Sequence, residues 1–125
     1  MSAENKTLSV LLLSRNVELG LLRKRVLEQN GCTVLFPQNR EEALDAFHTP
    51  LDVMVVAHTI SRDSARHYAE IFRAKNPDSW IVYICESTIE HPPEWADETV
   101  LGLSGPEEML QAVFRSPASS QIEPE

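Results

Sequence analysis

The chain has 125 residues, 42% hydrophobic and 24% charged, which suits one globular domain around one core. A formal net charge of −8 opposes direct contact with nucleic acid or anionic lipid, both of which carry like charge. No apolar run approaches the roughly 20 residues of a membrane-spanning helix, and the opening MSAENK lacks the basic-then-apolar layout of a secretion leader, so the expected location is the cytoplasm with no membrane partner.

Residues 1–6 read as a flexible N-terminus. Residues 8–13 (LSVLLL) form a nearly continuous apolar run ending at Ser14, Arg15 and Asn16, as expected for a strand buried on both faces of a parallel sheet. Leu19, Leu22, Val26 and Leu27 then recur at helical spacing. Asn16 suits the cap of that helix, and Asn30-Gly31 a left-handed stop. Arg23, Lys24 and Arg25 form the only dense basic cluster; a solvated helix face explains it better than a docking patch does.

Residues 32–36 (CTVLF) read as a second strand. Asn39, followed three residues later by Glu42, is close to a capping box and opens a second helix with Ala43, Leu44, Ala46 and Phe47 facing inward, closed by Thr49-Pro50. Residues 51–57 (LDVMVVA) make the third strand. Ala65, Tyr68, Ala69, Ile71 and Phe72 mark the third helix, closed by Asn76-Pro77. Residues 80–85 (WIVYIC) make the fourth strand and 99–103 (TVLGL) a weaker fifth. Ser104-Gly105-Pro106-Glu107 opens the last helix as Ser-x-x-Glu with proline in its first turn, and Met109, Leu110, Val113 and Phe114 form its apolar face. Residues 86–98 (ESTIEHPPEWADE) carry little helical period and read as a loop with room for one short helical turn. Trp80, Tyr83 and Trp95 fit either an interaction surface or ordinary packing of this loop over the sheet. Residues 116–125 (SPASSQIEPE) read as a disordered polar tail. Cys32 and Cys85 lie in apolar strands and are expected to be buried, reduced thiols; no Cys/His spacing suits zinc.

Alternating strands and helices imply a parallel sheet wound on both sides, and five strands favour the α/β flavodoxin-like order 2-1-3-4-5. The order and spacing of elements over residues 7–115 resemble a response-regulator receiver domain. Local pieces carry the likeness too: Arg40-Glu41-Glu42-Ala43-Leu44 resembles the family's second-helix start, Asp52-Val53-Met54-Val55-Val56 its third strand, and Pro106-Glu107-Glu108-Met109-Leu110 the start of its last helix. The family's fourth helix is degenerate here.

The resemblance implies five working side chains at the C-terminal sheet edge. Two acids after the first strand and an aspartate ending the third hold Mg²⁺, that aspartate accepts the phosphoryl group, and a hydroxyl and a lysine ending the fourth and fifth strands bind it. In this sequence those positions fall on Ser14 and Arg15, Ala57, Cys85 and Gly102. Each replacement removes the function the resemblance assigns: Ala57 has no nucleophile, and Arg15 brings positive charge where the cation would be. Asp52 lies roughly 16 Å upstream of Ala57 along a strand. His58 has a nucleophilic nitrogen but no acid pair beside it, and a lone histidine is seldom catalytic without an orienting partner.

These readings lead to a pseudo-receiver in bacterial two-component-type signalling that is not an enzyme. It needs no cofactor and no Mg²⁺, and acts without phosphorylation through a protein partner in trans, a homodimer being one option; with no output domain of its own, its effect comes from that partner. The alternative is a small-ligand or anion sensor using the crevice at the sheet switch point, lined by Ser14, Arg15, Asn16, His58, Thr59 and Ser61. A glycine-rich phosphate loop is missing after the first strand, and no Ser/His/Asp or Cys/His set is legible.

Overall fold

The computed structural model describes residues 7–76, 78–86 and 91–118. The elements follow the expected alternation: β1 (Ser9–Leu13), α1 (Val17–Gln29), β2 (Thr33–Leu35), α2 (Arg40–Ala46), β3 (Val53–Ala57), α3 (Arg62–Lys75), β4 (Trp80–Cys85), β5 (Glu98–Leu101) and α4 (Pro106–Val113). All strand pairs are parallel, in the order β2-β1-β3-β4-β5. This is the α/β flavodoxin-like arrangement read from the sequence.

Side-chain alternation along each strand divides the apolar residues between two layers. Leu11, Leu13, Met54, Val56, Ile81 and Tyr83 meet α2 and α3 on one face. Val10, Leu12, Val53, Val55, Val82 and Ile84 meet Leu27 of α1 and Met109, Ala112 and Val113 of α4 on the other. The central strands are buried on both sides, which is why they read as unbroken apolar runs.

Local signals explain the boundaries. Asn16 Oδ1 accepts from Leu19 N at 3.0 Å and Asn39 Oδ1 from Glu42 N at 2.8 Å, capping α1 and α2. Glu42 reaches back to Gln38 N (2.8 Å). Gly31 takes φ +93° just past α1, a conformation that favours glycine. Asp52, at the opposite edge of the sheet from Ala57, is structural. Its Oδ2 accepts from Ser9 N at 2.8 Å and anchors the start of β1.

Four expectations change. α1 buries Gly20 and Leu27 but leaves Leu19 and Leu22 exposed, so its periodic apolar stripe is only partly covered. β5 ends at Leu101, and Gly102–Ser104 wind into a 3-10 turn. Gly105, not Ser104, therefore caps α4, without a side-chain bond and with Pro106 in the first turn. The chain also stays packed past residue 115: Ser116 is buried and Ala118 lies against the α1/α4 core; the rest of the expected tail, 119–125, falls outside the described residues, as do 1–6.

The connection from β4 to β5 has no helix among its described residues; residues 87–90 lie outside them. Residues 91–97 are held by Arg73 of α3, which donates to Trp95 O (2.6 Å) and Asp97 Oδ2 (3.0 Å). Asp97 Oδ2 also accepts from Ile81 N at 2.8 Å. Trp95 stands edge-on to Tyr83 with ring centroids 5.6 Å apart, and Trp80 donates Nε1–H to Ala112 O at 2.9 Å. The three aromatics are thus packing residues. Arg115 grips Glu98 through two bonds of 2.9 and 3.0 Å, which ties the end of α4 to β5. None of the helices is long and apolar enough to cross a membrane, among the described residues.

Both cysteines are buried. Burial pushes the Cys32 thiol up from 9.0 to about 11. The folded state thus prefers the neutral thiol. Its stabilising preference is complete below about pH 9 and is lost as pH rises through about 11. Urea unfolding of the wild-type chain is expected to show stability falling across this window, and Cys32→Ala to show a shallower fall; parallel curves for the two proteins would contradict the assignment.

Candidate functional site

The register brings to one edge the five positions that the sequence resemblance points to, Ser14, Arg15, Ala57, Cys85 and Gly102. Leu13 pairs with Val56, Ala57 with Ile84, and Cys85 with Leu101. Ser14 and Gly102 follow immediately after β1 and β5. Ala57 has no exposed surface and Cys85 is buried, whereas Ser14 is half-buried and Arg15 exposed.

The β1–α1 turn is tied to the β3–α3 turn by hydroxyls. Arg15 N donates to Thr59 Oγ1 at 2.9 Å, and Ser14 Oγ lies 3.5 Å from the same atom. Ser14 Oγ also donates to Asn16 O (3.1 Å) and accepts from Asn16 N (3.2 Å). Ser14, Asn16 and Thr59 therefore spend their polar groups on one another and on the α1 cap. The Arg15 guanidinium makes no hydrogen bond or ion pair with a described group.

His58 turns elsewhere. Its Nε2 is 3.7 Å from Glu86 Oε1, and its Nδ1 is buried with no hydrogen-bond partner among the described residues. Ser61 caps α3 by accepting from Ser64 N at 3.2 Å. Of the six residues expected to form the anion crevice, Ser14, Arg15 and Ser61 line one open cleft of about 580 Å³, and Asn16, His58 and Thr59 do not. The cleft's other walls are Pro37, Gln38, Asn39 and Arg40 from the start of α2, with Leu13, Ile60 and Tyr68 as an apolar floor. Sequence reading missed Arg40, whose place beside Arg15 depends on how β2 is laid next to β1.

The donor set does not fit Mg²⁺. A hard divalent cation needs a cluster of oxygen ligands, usually with carboxylates, but Ser14, Arg15 and Ala57 offer a hydroxyl, a guanidinium and a methyl group. Among the described residues, no three carboxylate, imidazole or thiol side chains converge to hold a metal.

No protein-family model matches the sequence, and no curated protein matches it. Solved structures do match by shape. The response regulator TrrA of Thermotoga maritima, in complex with Mg²⁺ and beryllofluoride, is 21% identical with a TM-score of 0.65, over 85% of this chain and 99% of that one. A response regulator receiver domain from Clostridium thermocellum is 15% identical with a TM-score of 0.74, covering 92% and 98% of the two chains. The chemotaxis regulator CheY4 of Vibrio cholerae is also 15% identical at a TM-score of 0.74, covering 88% and 98%. The chain therefore has the CheY-like fold of receiver domains.

Proposed function

We propose that this chain is a receiver-type module of two-component-type signalling that works in the cytoplasm through protein–protein contact, without a phosphoryl gate and without catalysis of its own. One observation carries the reading. At the C-terminal sheet edge Ala57 is a buried methyl group and Arg15 is exposed, and the resemblance to receiver domains would put acids at both positions. Phosphoryl transfer depends on positioning and charge neutralisation around a metal, and the Mg²⁺–beryllofluoride complex of the Thermotoga regulator has no counterpart in this donor set. With no phosphoryl group to bias it, the domain holds one packing, and its output depends on what it touches.

The experiment is direct: incubate the full chain with acetyl phosphate and Mg²⁺, then weigh the intact protein. The expected spectrum shows no added phosphate. A stable phosphate adduct that persists in His58→Ala would overturn the reading.

The cleft beside the edge favours a second reading, a sensor of small anions. Arg15 and Arg40 both line it, no acidic side chain does among the described residues, and neither guanidinium is paired with a described group. Two free guanidiniums in one cleft of an acidic protein attract anions. Titration with pyrophosphate by calorimetry tests this: saturable heat that disappears in Arg15→Ala and Arg40→Ala supports the sensor, and no heat at millimolar ligand removes it.

A further inference from the structure

A second cleft, of about 250 Å³, opens between α1 and α4, across the sheet from α2 and α3. Leu19 and Leu22 form its α1 wall, Pro106 and Met109 its α4 wall, and Ile84 and Val100 its floor. The lining is apolar, yet Leu19 is 38% and Leu22 57% exposed, so covering the cleft would remove apolar surface from water.

One cation sits in the α1 wall. The Arg23 guanidinium is half-buried against the glycine that follows β5: a Cβ built on Gly102 would be 3.3 Å from its Nη2. Burial pulls its pKa below the usual value, and it makes no hydrogen bond or ion pair with a described group. A partly desolvated, unpaired cation is costly until a negative group reaches it. The occupant that fits this cleft is therefore apolar, with a carboxylate close beside it.

The chain itself carries such a segment. Past α4 the backbone stays close to the helix: Arg115 N donates to Ala112 O and Ser116 N to Val113 O, both at 3.2 Å. Ser116 is buried, and Ala118 packs against the same core layer that floors the cleft. Residues 119–125 (SSQIEPE) follow, with one large apolar side chain, Ile122, and Glu123 next to it. From Val113 back to Met109 is about 6 Å of helix, and Ile122, four residues past Ala118, reaches roughly 13 Å. The tether also keeps the segment near the cleft at an effective concentration on the order of millimolar. One isoleucine and one ion pair then suffice, where a separate partner of that size would scarcely bind.

From the apolar cleft, the unpaired Arg23 and the packing of Ala118, we infer that the C-terminal segment folds back over the α1/α4 face, with Ile122 in the cleft and Glu123 on Arg23. The chain's own tail then closes the cleft, and a protein that binds this face has to displace it. The inference does not depend on the phosphorylation reading.

Nuclear Overhauser spectroscopy on the full chain, with isotope-labelled methyl groups, tests it. Cross-peaks from the Ile122 methyls to those of Leu19 and Leu22 are expected, with relative strength unchanged on dilution. Ile122→Ser should leave the circular dichroism spectrum unchanged and shift the Leu19 and Leu22 methyl resonances, while those of Leu44, in the other layer, stay in place. Arg23→Glu should weaken the cross-peaks severalfold, and Arg23→Glu combined with Glu123→Arg should recover much of the loss. Absent cross-peaks, which would leave the cleft to a separate partner, overturn the inference, as does a tail contact indifferent to Arg23→Glu. Cross-peaks found only between labelled and unlabelled copies in a mixed sample overturn it too, because a second copy's tail would then fill the cleft. None of these results touches the phosphodonor experiment, so the two proposals fail separately.

Discussion

Ala57→Asp is expected to lower the unfolding free energy by about 2–3 kcal/mol and still to leave the chain unlabelled by acetyl phosphate and Mg²⁺. Ala57 ends β3 with no exposed surface, so the substitution buries a carboxylate where wild-type packing provides a methyl group. Desolvation raises the pKa of such a carboxylate in the folded state. The sign follows: the variant recovers stability at low pH, where the acid is protonated in both states, and loses it as pH rises through the raised folded pKa. Urea unfolding at about pH 4.5 and about pH 8 should therefore show a larger deficit at the higher pH. On the proposed reading labelling stays absent, because the hydroxyl of Ser14 and the guanidinium of Arg15 do not complete a cation site. Rapid Mg²⁺-dependent phosphorylation of the single variant would show that the edge is competent after all, and unchanged stability would mean that a cation, Arg15 foremost, swings in to pair the new acid.

Phe72→Ala should cost more, about 3–5 kcal/mol, a large part of the 5–15 kcal/mol typical of a whole domain. Phe72 is fully buried on α3 and its ring centroid is 6.4 Å from that of Phe47. Truncation leaves a hole between α2, α3 and the sheet that helices tied by short connections cannot close. Urea melts should show a lower midpoint with an unchanged slope. A loss below about 1 kcal/mol would mean that the layer collapses into the space.

Much of this architecture was legible because buried parallel strands have a plain signature. Residues 8–13, 51–57 and 80–85 are apolar runs too short for helices, and the caps Asn16 and Asn39 mark where α1 and α2 begin. The reading failed where local pattern and tertiary cover part company. The period of Leu19, Leu22 and Val26 says that they share a side of α1, but not whether anything lies on it. Ser104 has the right spacing to Glu107 for a capping box, yet the early end of β5 draws it into the 3-10 turn and leaves Gly105 as the cap. The candidate cleft was half visible. Ser14, Arg15 and Ser61 follow from the rule that ligands gather beyond the carboxyl ends of strands, whereas Arg40 comes from a strand order that no local motif encodes. Arg73 could be seen only as a polar position on α3; its bonds to residues 95 and 97 depend on a connection without helical period.

The alternation that sends Leu11, Met54 and Val56 one way and Val10, Val53 and Val55 the other makes the sheet a partition. Few side chains are shared across it, so losses from trimming Phe72 on one side and Val113 on the other should sum. Mutational drift in the layer of α1 and α4 can then proceed while the packing of α2 and α3 on the other side keeps the molecule folded.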